Sequence, residues 1–218
     1  MYAKSRHGQI EYRTNLRQRF GHPNISVAVA PELGVGFEWI LSYFENEVAD
    51  GAAFSDKQLV QIGWMLVMLR KNSSGDLDVW EPSFDSIPIT WVKGGSMTIR
   101  HLMLQREVCA QLDVGPEFPA LNLSGIVSAD FLDSDSFYMD REAVDAAADS
   151  GWLFKGPEPS GGKHYSLFEI AVARPEIIAF LALPMGASVK YRKSCIDIRI
   201  GLQSVSSKNN DFLRKVLR

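Results

Sequence analysis

Residues 62–69, Ile-Gly-Trp-Met-Leu-Val-Met-Leu, are the most apolar stretch of the chain, and whatever fold forms must cover them. The stretch falls far short of the roughly 20 residues that cross a bilayer. The cover therefore comes from the protein's own core. Ser55, with Gln58 three residues on, has the spacing of a capping box. That spacing predicts a helix over 55–69, apolar nearly all round through Trp64, Met65, Leu66, Val67 and Met68, in the middle of the core. A chain of 218 residues, 46% hydrophobic and 22% charged, can bury such an element without disulfides or a structural metal.

Helical spacing also occurs earlier, at Leu33, Phe37, Ile40, Leu41, Phe44 and Val48, with Pro31 and Glu32 suited to open that helix. Gly34 and Gly36 lack the third glycine of a dinucleotide loop and read as part of the helix start. Beyond residue 70 the period changes to two. Leu77 and Val79, then Ile87, Ile89 and Trp91, alternate with other residues behind a turn at 72–75. A helix is predicted over 97–112, with His101 at the core edge. Strand-like segments follow at 123–128 and 137–139, then Asp149-Ser-Gly-Trp152 running on through Leu153 and Phe154. A loop with Pro157, Pro159, Gly161 and Gly162 precedes two helices. One runs through Leu167, Phe168, Ala171 and Val172; the other is opened by Pro175 and ended by Pro184 and Gly186. A strand at 187–191, alternation at Ile196, Ile198 and Ile200, and a short basic helix with Phe212, Leu213, Val216 and Leu217 complete the reading.

These elements predict an α+β fold. A helix-rich N-terminal unit with a small sheet is expected over 1–118, a compact α+β domain over 119–192, and a strand plus short basic C-terminal helix over 193–218. The linker between the first two is read at 113–119, where Gly115, Pro116 and Pro119 cluster.

The usual catalytic patterns are missing. There is no Gly-x-Ser-x-Gly elbow, no P-loop and no paired-histidine zinc helix. His7, His22, His101 and His164 show no metal-ligand spacing with one another or with Cys109 and Cys195. Asp76 with Asp78, and Asp133 with Asp135, are more typical of turns than of cation sites. Two distant cysteines suit a reducing compartment, and the polar, basic N-terminus does not read as a secretory signal. The expectation is a cytoplasmic, non-enzymatic protein with no cofactor and no metal. Its charge is uneven: the net is -3, yet 1–20 and 193–218 each carry +4 and 21–192 carry -11. An acidic body repels nucleic acid and attracts basic proteins.

Within 124–192 lies an ordered set of short segments: Ile126-Val-Ser128, Arg141-Glu142, Asp149-Ser-Gly-Trp-Leu-Phe154, Pro175-Glu-Ile-Ile178, Leu183-Pro-Met-Gly186 and Val189-Lys-Tyr-Arg192. In that order they resemble an immunity domain of bacterial polymorphic toxin systems. The resemblance implies a protein encoded beside a toxin that is delivered into rival cells, by type VI secretion or a contact-dependent system. The protein would bind and neutralise that toxin in the producer's cytoplasm. The alternative is a regulatory or structural binding module with a non-toxin partner. Many such toxins are nucleases with a basic cleft, so an acidic contact surface is expected, and no nucleic acid or membrane partner. Residues 130–149 hold seven acids against the single base Arg141. The expected partner-binding residues are therefore Asp130, Asp133, Asp135, Asp140, Glu142 and Asp145, with Phe131, Phe137 and Tyr138 as the anchors that rim charges cannot replace.

Overall fold

A computed structural model describes residues 2–6, 8–144 and 147–217. The described residues form two sheets of seven strands each, with a few short helices, an α+β fold as the patterning predicts. The chain divides into two compact units. One runs to Ser83 and takes in Pro88–Arg100; the other holds Phe84–Ile87 and everything from His101 onward. The stretch 113–119 lies within the second unit.

In the first unit the strands are β1 (Tyr2–Arg6), β2 (Gln9–Arg13), β3 (Ile25–Val29), β4 (Leu59–Ile62), β5 (Met65–Lys71), β6 (Leu77–Ser83) and β7 (Thr90–Lys93). They lie in the order β1-β2-β3-β6-β5-β4, with β7 also on β6. Only β3 and β6 run parallel. One sheet face buries Ile25, Val27, Val67, Leu69 and Val79 in a core shared with Ile40, Leu41, Phe44 and Val48 of α2 (Trp39–Ala49). A five-residue helix, α1 (Leu16–Phe20), and the start of α3 (Ser96–Ala110) complete the unit. Glu81, buried on β6, accepts hydrogen bonds from the backbone N–H groups of Met97 and Thr98 at 3.0 and 2.7 Å, an anion at the positive end of α3.

This unit is sheet-dominated, where a helix-rich unit with a small sheet was expected. The largest change is at 55–69, which is no helix but a turn followed by the β4–β5 hairpin. Gln58 does reach back to the Ser55 N–H, at 2.9 Å, but across a tight turn with Lys57 at φ 65°. Ile62 pairs Met65 around the two-residue loop Gly63-Trp64, and Gly63 takes the φ of 62° that such a loop needs at its first position. The helix expected from Leu33 starts only at Trp39. Pro31–Leu33 is an isolated 3-10 turn, and Gly34 and Gly36, at φ 78° and 103°, break the right-handed path. Of the alternating set, Ile87 and Ile89 fall in a loop beside Pro88, and only Trp91 joins β7.

The second unit holds β8 (Ser124–Val127), β9 (Ser136–Arg141), β10 (Asp149–Lys155), β11 (Lys163–Ser166), β12 (Ala187–Arg192), β13 (Cys195–Ile200) and β14 (Gln203–Ser206), ordered β11-β8-β10-β9-β12-β13-β14. All pairs are antiparallel except β8 with β10. Alternation sends Phe137, Met139, Trp152, Phe154, Val189, Tyr191, Ile196 and Ile198 to one buried face. Beside the sheet lie α4 (Leu167–Ala173), which contacts β11 and a 3-10 segment at Pro175–Phe180, and α5 (Asp211–Val216), which contacts β13. Ser166 and Glu169 close a full capping box on α4, so its first N–H groups are satisfied. Among the described residues no helix is long and apolar enough to cross a membrane.

Candidate binding face

The period of two that buries one face of the second sheet leaves the side chains of the other half-buried or exposed among the described residues. Two rows of side chains cross the sheet there. One row is Lys155, Tyr138, Lys190, Asp197 and Ser206, on β10, β9, β12, β13 and β14; the next is Leu153, Asp140, Ser188, Arg199 and Ser204 on the same strands. With strands about 4.8 Å apart, each row spans roughly 19 Å.

Hydrogen bonds fix part of this face. Asp140 accepts from Lys155 Nζ at 3.1 Å and from Ser188 Oγ at 2.7 Å. Asp197 accepts from Arg192 and, at 2.6 Å, from Ser206 Oγ. The Ser206 bond is the main cause holding the Asp197 carboxyl below the usual carboxylate range. Lys190 Nζ lies 5.0 Å above the Tyr138 ring, a cation over an aromatic face. Beside β14 the face sinks into a hollow of about 440 Å³, lined by Ser188, Lys190, Asp197, Arg199, Ser204 and Asn209 among others.

The expected interface residues scatter. Asp130 points into its own loop: it accepts from Ser128 Oγ at 2.6 Å and the Glu158 N–H at 2.8 Å, and the Ser128 bond lowers its pKa first. Phe131 and Phe137 are fully buried and therefore are not surface anchors. Phe137 stacks on Tyr191 at 4.6 Å, and the guanidinium of buried Arg174 lies over both phenylalanines while donating to the Phe131 and Ser134 carbonyls. Strand alternation turns Phe137 inward, and the turn before β9 brings Phe131 against it, with ring centroids 5.2 Å apart. Asp133 and Glu142 are exposed, and Asp135 pairs Lys193 at 2.7 Å. Only Tyr138 and Asp140 reach the open face. Asp145 lies outside the described residues. An extended strand separates Asp135 from Glu142 by about 20 Å, so a run of acids in sequence does not make one acidic patch.

Sequence reasoning missed the cations of the face: Lys155, Lys190, Arg192 and Arg199. The available signal was the polar half of two alternating strands, Ser188-Lys190-Arg192 against Ala187-Val189-Tyr191, and Asp197-Arg199 against Ile196-Ile198. No group of three or more metal-type ligands gathers among the described residues. Asp76 and Asp78 serve as internal anchors: Asp76 takes Arg13 and Arg17, and Asp78 takes Ser26 and Lys93.

Comparison with curated proteins and with solved structures gave no match. The stretch 104–199, which supplies every strand of the open face up to Arg199, matches the family model of the Imm33-like domain, and in that stretch the chain is similar to an immunity-protein-like family.

Proposed function

We propose that the protein is an immunity protein that binds a cognate antibacterial toxin and holds it inactive, with the open face of the second sheet as its contact surface. One observation carries the reading. The stretch that matches the immunity-type domain is the stretch that builds this face: Tyr138, Asp140, Lys155, Lys190, Arg192 and Arg199 all fall inside it. A broad, polar, half-buried sheet face with an aromatic centre suits protein recognition better than a small-molecule pocket does. The role is inhibitory binding without turnover. Burial pushes the Cys109 thiol up to about 11 and the His101 imidazole down to about 4, so at neutral pH Cys109 is not a thiolate and His101 is not an imidazolium.

The test is co-expression with the toxin encoded beside its own gene. Cells producing both should survive, and the two chains should co-purify. Death of cells that contain the soluble, folded chain would remove the immunity reading.

A further inference from the structure

We infer that the open face receives an acidic protein surface, with carboxylates of the partner seated at Lys190 and Arg199. This rests on the immunity reading for the identity of the partner, and on charge for its chemistry. Four cations, Lys155, Lys190, Arg192 and Arg199, point from β10, β12 and β13 to the open side, against two acids, Asp140 and Asp197. Both acids are already engaged, Asp140 by Lys155 and Asp197 by Arg192. That leaves Lys190 and Arg199, which hold no ion pair among the described residues. They flank the hollow beside β14, with Ser188 and Ser204 in register next to Arg199.

A guanidinium presents a planar fork that matches a carboxylate in a two-pronged bond, and the neighbouring Ser204 hydroxyl and Asn209 amide can donate to its remaining lone pairs, while the Ser188 hydroxyl is held by Asp140. Local and global charge point to different partners here. The whole chain carries -3, so a long polyanion such as single-stranded nucleic acid would meet a net-acidic protein once it left the face. A short acidic segment of a protein stays within reach of Lys190 and Arg199, where the neighbouring acids Asp140 and Asp197 are offset by Lys155 and Arg192. The expected partner surface is thus the opposite in sign to the basic cleft that the acidic run suggested.

Two measurements test this. The first titrates isotope-labelled protein with hexaglutamate, hexalysine and a thymidine decamer, following backbone amide shifts. Hexaglutamate should shift the amides around Lys190, Arg199 and Ser204 and leave those around Asp133 and Glu142 in place. Stronger shifts of this face by hexalysine or by the decamer would overturn the inference. The second uses the catalytically inactivated toxin encoded beside the gene. K190E/R199E should weaken its binding at least a hundredfold, and the milder K190Q/R199Q about tenfold, with melting of the glutamine variant unchanged. Toxin binding unaffected by K190Q/R199Q overturns the inference while leaving the immunity reading intact. A wild-type chain that takes hexaglutamate at this face but ignores the toxin supports the inference and removes the immunity reading.

Discussion

At the scale of single residues, the segment Asp149-Ser-Gly-Trp152 is architecture. Trp152 is fully buried, and its Nε1 donates to the Leu181 carbonyl at 3.1 Å. Gly151 sits at φ 78°, where a Cβ would come within 2.3 Å of the Glu142 carbonyl oxygen. Arg141, in register with Trp152, places its guanidinium 5.8 Å from that ring and donates to the Glu117 and Leu183 carbonyls. Trp152→Ala should therefore cost about 3–5 kcal/mol of stability in denaturant melts. A variant that melts like the wild type yet loses its partner would sink this assignment. His101 carries a pH signature. Burial lowers its pKa to about 4 from 6.5, so the folded state holds it neutral while the unfolded chain protonates it. Stability should fall as pH drops from 6.5 to about 4 and, for this group, fall no further below that, a loss of roughly 3 kcal/mol. A titration of the imidazole by NMR with a midpoint near 6.5 would contradict it.

At the scale of elements, the β4–β5 hairpin turns a question of period into one of sign. If 55–69 were helical, Gly63→Ala would stabilise by about 1 kcal/mol. In the hairpin, with Gly63 at φ 62°, the same change should destabilise by about 1–2 kcal/mol, and Gly63→Asn by less. Thermal melts of the two variants decide it. The hairpin was illegible because the outward residues of β5, Leu66 and Met68, are themselves apolar, so the alternation vanished and only an apolar run remained. Strands β12 and β13 were legible for the opposite reason: Lys190 and Asp197 stand between buried residues, and Arg192 and Arg199 each follow one. The candidate face was not legible. Its rows join β9, β10, β12 and β13, and their register exists only once strands from 136 to 200 have paired. The acids from 130 to 142 are close in sequence, but the fold turns Asp130 into a loop, leaves Asp133 and Asp135 before β9, Asp140 on it and Glu142 past its end, and pairs Asp135 and Asp140 with lysines.

At the scale of the whole molecule, charge blocks in sequence do not survive as surface blocks. The basic C-terminal segment contributes Arg199 to the sheet that also holds Asp140 on β9, and the resulting face carries an excess of cations. The path of the chain is just as non-local. Phe84–Ile87 lies between β6 and β7 of the first unit but belongs to the second. Its anchor is Phe84, half-buried, with its ring centroid 5.2 Å from that of His101 and 5.1 Å from that of Phe168. Phe84→Ala should therefore weaken the second unit although the residue sits within the sequence of the first. A half-buried ring that loses two aromatic neighbours costs roughly 1–2 kcal/mol. Two readouts separate this from a general loss of stability. Backbone amides of α4 and of β8 should exchange faster in the variant, while those of β3 and β5 keep their protection. Water should also reach His101 more easily, moving its titration midpoint up from about 4 toward the ordinary 6.5, because removing the ring relieves part of the burial that keeps it neutral. Faster exchange confined to β3 and β5, with the His101 midpoint unmoved, would assign the segment to the first unit instead.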